Sequence, residues 1–196
     1  MILVTGGCRS GKSEYAEMLT KEGGSRFLYM ATAKITDEAM RERVIRHQKR
    51  RSSAWETHEG YTGLGEVLRK NKGRYDGILL DSASTMVTNL LFDDIGEADW
   101  ENFDFSKVDY KGAEERILKE FEKFLEAQKE CKTKLVVVTD EIGLGVVPET
   151  YLGRAFRDIL GRVNQRLAAA AADVWFVVSG IPVCIKRDGK ITGGMI

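Results

Sequence analysis

Ile2-Leu3-Val4-Thr5-Gly6-Gly7-Cys8-Arg9-Ser10-Gly11-Lys12-Ser13 is the stretch whose reading decides the fold. A short apolar run enters two glycines, and Tyr15, Ala16, Met18 and Leu19 follow Lys12 at helical spacing, so the order is strand, loop, helix. Between strand and helix, Gly6 to Ser13 match G-x-x-x-x-G-K-S, the P-loop pattern, in the setting that gives it meaning. Glycines let backbone N–H groups converge on phosphate oxygens, and the helix N-terminus adds a favourable dipole. Gly6, Gly7, Cys8, Arg9, Ser10, Gly11, Lys12 and Ser13 are therefore candidate contacts for ATP or GTP, Lys12 on the terminal phosphates and Ser13 on Mg²⁺. The plainer alternative is a glycine turn with no ligand.

Working outward, Phe27 to Thr32, Gly77 to Asp81, Lys134 to Thr139 and Val174 to Val178 read as unbroken apolar strands, with a closing strand at Pro182 to Ile185. Helical spacing links Met86, Leu90 and Leu91. It recurs at Ile117, Phe121, Phe124 and Leu125, and again over Glu149 to Ala172 through Leu152, Phe156, Ile159, Val163 and Leu167. A helix is also expected over Asp37 to Arg51, with a thin apolar face. The acidic stretch Asp93 to Tyr110, with Trp100 and Phe105, reads as a mobile surface excursion. Alternating strands and helices of this kind imply an α/β fold of P-loop NTPase type: a mostly parallel sheet with helices on both faces. A chain of 196 residues, 43% hydrophobic, suits a single domain over residues 1–196.

Thirty basic residues balance thirty acidic ones, so no global field marks a nucleic-acid or membrane-surface binder, and neither is expected as a partner. No apolar run approaches a membrane span, and the first residues lead straight into glycines, too short for a signal segment. Cys8, Cys131 and Cys184 are odd in number and lack C-x-x-C spacing, which fits a reducing cytoplasm better than a disulfide framework. The two histidines, His47 and His58, have no cysteine nearby, which argues against zinc.

Asp81, closing an apolar strand, stands where a P-loop fold places a Mg²⁺-holding carboxylate. The plainer alternative is a cap on the next helix, and Asp140 and Glu141 compete for the metal role. Arg41, Arg43, Arg46, Lys49, Arg50 and Arg51 oppose the single acid Glu42 around His47. Such a run is often a solvated helix face, but it could also neutralise a triphosphate beside an imidazole able to attack phosphorus.

Beyond the loop, Tyr29-Met30-Ala31-Thr32-Ala33, the arginine-rich segment around His47 and Ser84-Thr85-Met86-Val87-Thr88-Asn89-Leu90-Leu91 appear in order. They are followed by Glu141-Ile142-Gly143-Leu144-Gly145-Val146-Val147-Pro148-Glu149 and by the block from Phe156 to Ala168, which contains Gly161-Arg162-Val163-Asn164-Gln165-Arg166-Leu167. Together they resemble the bifunctional adenosylcobinamide kinase/adenosylcobinamide-phosphate guanylyltransferase family, over nearly the whole chain. The loop pattern is common to many NTPases, whereas the Met-Val-Thr-Asn-Leu-Leu and Gly-Arg-Val-Asn-Gln-Arg-Leu blocks are specific.

The resemblance implies phosphorylation of adenosylcobinamide by ATP or GTP, then transfer of GMP from GTP through a guanylylated histidine, matched here by His47. It also implies nucleotide contacts from Gly6 to Ser13, Ala31, Thr32, Ala33, Gln48, Lys49, Arg50, Arg51, Glu59 and Asp81, with a homotrimeric assembly. Three features depart from the family pattern: the chain reads Gln48 to Ser53 where Lys-Asp-Gly-Arg-Pro is common, Asp81 stands where Glu is common, and Cys8 replaces a small residue in the loop. Other readings are a P-loop kinase of another small metabolite, for which His47 is incidental, and a nucleotide-dependent switch that binds a partner or nucleic acid through the basic segment.

Overall fold

The structure is a computed structural model, and it describes residues 1–34, 54–96 and 103–192. The described strands form one eight-stranded sheet: β1 (Ile2–Gly6), β2 (Phe27–Ala31), β3 (Trp55–Glu59), β4 (Gly77–Asp81), β5 (Lys134–Asp140), β6 (Asp173–Val178), β7 (Ile181–Arg187) and β8 (Lys190–Ile191). Their order is β3-β2-β4-β5-β1-β6-β7-β8. The ladders from β3 to β6 are parallel, and β7 and β8 add an antiparallel margin. The mostly parallel sheet expected from the apolar runs is present.

Five helices are described: α1 (Lys12–Lys21), α2 (Leu64–Lys70), α3 (Ala83–Ile95), α4 (Tyr110–Glu130) and α5 (Tyr151–Ala170). Side chains alternate across the strands, so each strand feeds both layers. Val4, Leu79, Val136 and Val138 pack with Ala16 and Leu19 of α1 and with Phe27, Tyr29 and Trp55. Leu3, Met30, Ile78, Leu80 and Val137 face the larger layer, where Leu64, Met86, Phe121, Phe124, Ile159 and Val163 supply the helical side. Helices thus cover both faces, and the strands read as continuous apolar runs for that reason.

Three elements lack a strong sequence signal. β3 buries only Trp55 of its five residues, α2 is a seven-residue helix, and β8 is a two-residue edge. Where the chain is described, the Asp93 to Tyr110 stretch lies at the surface as expected, but its bounds narrow. α3 runs to Ile95, Phe105–Lys107 form a 3-10 turn capped by Asp104, and α4 starts at Tyr110 on an Asp109 cap. Asp104 and Asp109 close helix ends by accepting free N–H groups, while Asp93 and Asp94 accept from Tyr61 and Arg116. The helix expected over Asp37 to Arg51 lies outside the described residues, as does Trp100.

Candidate active site

The crossovers that follow β1 and β5 leave on opposite faces of the sheet, α1 on one and α5 on the other. A crevice opens between the carboxyl ends of two adjacent strands wherever connections diverge in this way. β1 and β5 are adjacent, with Gly6 level with Asp140, so the glycine loop and the end of β5 share that crevice.

The loop conformation depends on its residue types. A Cβ at Gly6 would lie 2.4 Å from the Val177 carbonyl oxygen, so only glycine lets β1 turn so close to β6. Gly11, at the N-cap of α1, has φ 92°, and Arg9 also adopts the left-handed region at φ 56°. The Gly180 N–H donates to the Ser10 carbonyl at 2.8 Å and braces the loop from the β6–β7 turn. Inside the loop the Ser10 hydroxyl is buried without a hydrogen-bond partner. A buried hydroxyl in that state costs free energy until a partner satisfies it, and Thr5 Oγ1 at the end of β1 is in the same state.

Lys12 is mostly buried. Its Nζ donates to the Gly7 carbonyl at 3.2 Å and forms an ion pair with Asp140 Oδ1 at 2.6 Å. The other carboxylate oxygen, Oδ2, accepts from the Ser84 hydroxyl at 2.5 Å, and Ser84 is linked at 2.9 Å to the Ser82 hydroxyl. Asn164 of α5 fixes the end of β5 by donating to the Asp140 carbonyl at 3.0 Å and accepting from Thr139 at 2.7 Å. Of the three acids that compete for a role beside the phosphates, Asp140 is the one in contact with Lys12. Glu141 turns back to accept the Gly143 N–H at 2.5 Å.

Asp81 closes β4, two strands from β1, which is a lateral offset of about 10 Å. Its Oδ2 accepts from the Tyr29 hydroxyl at 2.8 Å. It does not cap the following helix. Ser82 does, by accepting the Thr85 N–H at 3.2 Å. Ala31 is level with both Asp81 and Glu59, so these three expected contacts line the same carboxyl edge as the loop.

Thr32 is fully buried. Its hydroxyl donates to the Ser82 carbonyl at 2.8 Å and accepts the Ser82 N–H at 2.9 Å, and its carbonyl accepts from Asn89 at 2.6 Å. Thr32 is therefore a joint between β2 and the start of α3, and Ala33 follows it at the edge. His47, Gln48, Lys49, Arg50 and Arg51 lie outside the described residues.

Tyr29, Ser84, Asn89 and Asn164 belong to this site although sequence reasoning gave them no role. The signal available was a polar residue among the apolar positions of a strand or helix. The donor types suit a hard cation: Ser13 stands in the first turn of α1, and the carboxylates of Asp81 and Asp140 stand at strand ends on the same edge. Among the described residues no group of three or more His, Cys, Asp or Glu could hold a metal ion alone.

A family model described as cobinamide kinase / cobinamide phosphate guanyltransferase matches residues 2–185 of the chain. The chain is 47% identical over 186 residues to the bifunctional adenosylcobalamin biosynthesis protein CobU of Escherichia coli strain K12, covering 95% of this chain and 99% of that one. It is 48% identical to the CobU protein of Salmonella typhimurium strain LT2, with the same coverage of both chains. Among solved structures, a prototypical ATPase from the type III secretion system of pathogenic bacteria aligns with a TM-score of 0.55 at 10% identity. That alignment covers 89% of this chain and 50% of the ATPase, and it is a likeness of fold.

Proposed function

The chain belongs to the cobinamide kinase / cobinamide phosphate guanyltransferase family, and from that premise we propose how its residues divide the two reactions. The enzyme phosphorylates adenosylcobinamide with ATP or GTP, then joins GMP from GTP to the new phosphate to give adenosylcobinamide-GDP and pyrophosphate. One domain, residues 1–196, carries both steps.

In the first step the loop from Gly6 to Ser13 wraps the triphosphate, and Lys12 turns from Asp140 to the terminal phosphate. The acceptor hydroxyl oxygen attacks the γ-phosphorus, its proton is released, and the bond to the bridging oxygen breaks as the nucleoside diphosphate leaves. Loop amides and Lys12 oppose the charge that spreads over the transferring group. Ser13 and Asp81 would hold Mg²⁺, which neutralises phosphate charge when bound.

In the second step an imidazole nitrogen of His47 attacks the α-phosphorus of GTP and pyrophosphate leaves. The cobinamide phosphate then displaces the histidine and takes GMP. Two displacements replace one, and the P–N bond stays reactive enough to be broken. Ala31, Thr32, Ala33, Gln48, Lys49, Arg50, Arg51, Glu59 and Asp81 are the proposed contacts for the nucleotide. For Thr32 the side chain is already engaged, so its part is to position its neighbours.

We further infer a homotrimer in a reducing cytoplasm. The exposed apolar residues on β7 support the assembly, and the free Cys8, Cys131 and Cys184 support the compartment. No described helix is long and apolar enough to cross a membrane.

The observation that carries the reading is Lys12, held at the mouth of a complete phosphate loop in a chain this similar to bifunctional relatives. Mass spectrometry after incubation with GTP is the test. The expected result is a GMP adduct on His47 that is acid-labile, alkali-stable and absent from His47→Ala. A chain that phosphorylates cobinamide yet never carries GMP would leave only the kinase half standing.

A further inference from the structure

Residues 141–150 connect β5 to α5, and they begin one position after the carboxylate that holds Lys12. This connection carries Leu144, Val146 and Val147 with relative exposures of 82%, 94% and 57%, and Tyr151 at the head of α5 is 57% exposed. The loop is tied down at both ends. Glu141 accepts the Gly143 N–H, while Arg154 donates to the Pro148 carbonyl at 3.1 Å and the Glu149 carbonyl at 2.6 Å. The Arg154 guanidinium also lies 4.8 Å from the Tyr151 ring centroid. Apolar side chains held out into water in such a cluster mark a surface that something covers.

The occupant follows from the chemistry beside it, given the reading of the preceding subsection, on which this inference rests. A corrinoid acceptor is a wide macrocycle with methyl-bearing faces, and its reactive hydroxyl ends a flexible side arm. The hydroxyl has to reach the terminal phosphate next to Lys12, while the ring is too broad to enter a loop shaped for phosphates. The ring must therefore rest on an apolar surface immediately outside that loop. The β5–α5 connection adjoins Lys12 through Asp140 and meets this requirement. Among the described residues β7 also carries exposed apolar side chains: Ile181, with Val178 opposite it, starts at the phosphate-loop edge on the far side of the loop from Asp140, and Val183 and Ile185 recede from the phosphates along a strand face proposed above for the subunit contact.

We propose that Leu144, Val146, Val147 and Tyr151 form the platform on which the corrin ring of the acceptor docks. Arg154 positions that platform.

The test uses the full chain with Leu144→Ser, the double variant Val146→Ser/Val147→Ser, and Tyr151→Ala, assayed with adenosylcobinamide and ATP. The KM for the corrinoid is expected to rise about tenfold in the double variant, equivalent to about 1.4 kcal/mol. The KM for ATP, the guanylylation of His47 by GTP without corrinoid, and the mass by light scattering should not change. An unchanged corrinoid KM in all three variants would overturn the docking alone. A smaller assembly together with parallel rises in both KM values would assign the loop to a subunit contact instead. A native enzyme with no corrinoid turnover would sink the functional reading, and the platform with it.

Discussion

Lys12 and Asp140 form an ion pair that has to open before the lysine can serve a phosphate. On the proposed reading, in which Lys12 serves the terminal phosphate, the carboxylate is also a nearby negative charge, so it opposes nucleotide entry twice. Asp140→Asn keeps the hydrogen bond from Ser84 and removes the charge. The expected outcome is binding of Mg²⁺-free ATP tighter by about threefold to tenfold in calorimetry, the gain of about 1 kcal/mol that a partly exposed pair allows. Unchanged or weaker binding would show that the pair does not compete with the ligand. Lys12→Ala should slow cobinamide phosphorylation by about 100-fold or more, the usual cost of removing one preorganised donor to a developing charge. The loop was legible in sequence because its eight positions are contiguous. The Lys12–Asp140 pair was not, because strand order, which sequence does not print, brings the ends of β1 and β5 together. A second residue has a pH signature. Asp76 accepts the N–H groups of Ser25 and Arg26 at 2.8 and 2.9 Å, and these bonds, Ser25 first, hold its carboxyl below the ordinary value of 3.8. Its contribution to stability is present above that ordinary value and is lost as pH falls through the lower folded-state value. The gap in urea midpoint between the native chain and Asp76→Ala should be full at neutral pH and should narrow in acid. A gap that widens in acid would reverse the sign.

Glycines read the packing between elements more sharply than large side chains do. At the start of β4, a Cβ on Gly77 would lie 2.6 Å from the Thr20 carbonyl oxygen in α1, and backbone cannot step aside. Gly77→Ala is therefore expected to destabilise the fold by about 1–3 kcal/mol in chemical denaturation. Gly161, inside α5, has nothing within 4 Å of the same added atom, so Gly161→Ala should stabilise by about 0.5–1 kcal/mol through helix propensity. Equal effects at the two sites would refute the packing argument. The buried strands and the long helices α4 and α5 were legible because continuous burial and helical periodicity both leave apolar patterns in sequence. β3 was not. Its sequence Trp-Glu-Thr-His-Glu keeps one side chain in the core, and its place at the sheet edge is set by pairing with β2 rather than by its own apolar content. The Asn89 and Asn164 blocks were recognisable as specific patterns, yet their work is backbone bracing at the ends of β2 and β5, which only the assembled sheet brings into reach.

At the scale of the whole molecule the two margins of the sheet are finished differently. On the β3 side Trp55 is buried against Phe27 and Tyr29, with ring centroids 5.1 and 6.2 Å apart. On the other side Ile181, Val183 and Ile185 alternate onto one face of β7 and are exposed there, with Val178 opposite Ile181 and exposed Ile191 on β8. The short β8 and the charges of Lys186, Arg187 and Lys190 discourage addition of a further strand at the edge, but they do not cover this apolar face. A face of that kind is what a closed assembly of identical subunits buries. Val183→Lys places a charge at its middle without touching the phosphate loop. For the proposed trimer, light scattering should then fall from three times 22.0 kDa to 22.0 kDa, with the far-ultraviolet circular dichroism unchanged. A variant that keeps the mass of the native protein would show that the subunits meet elsewhere.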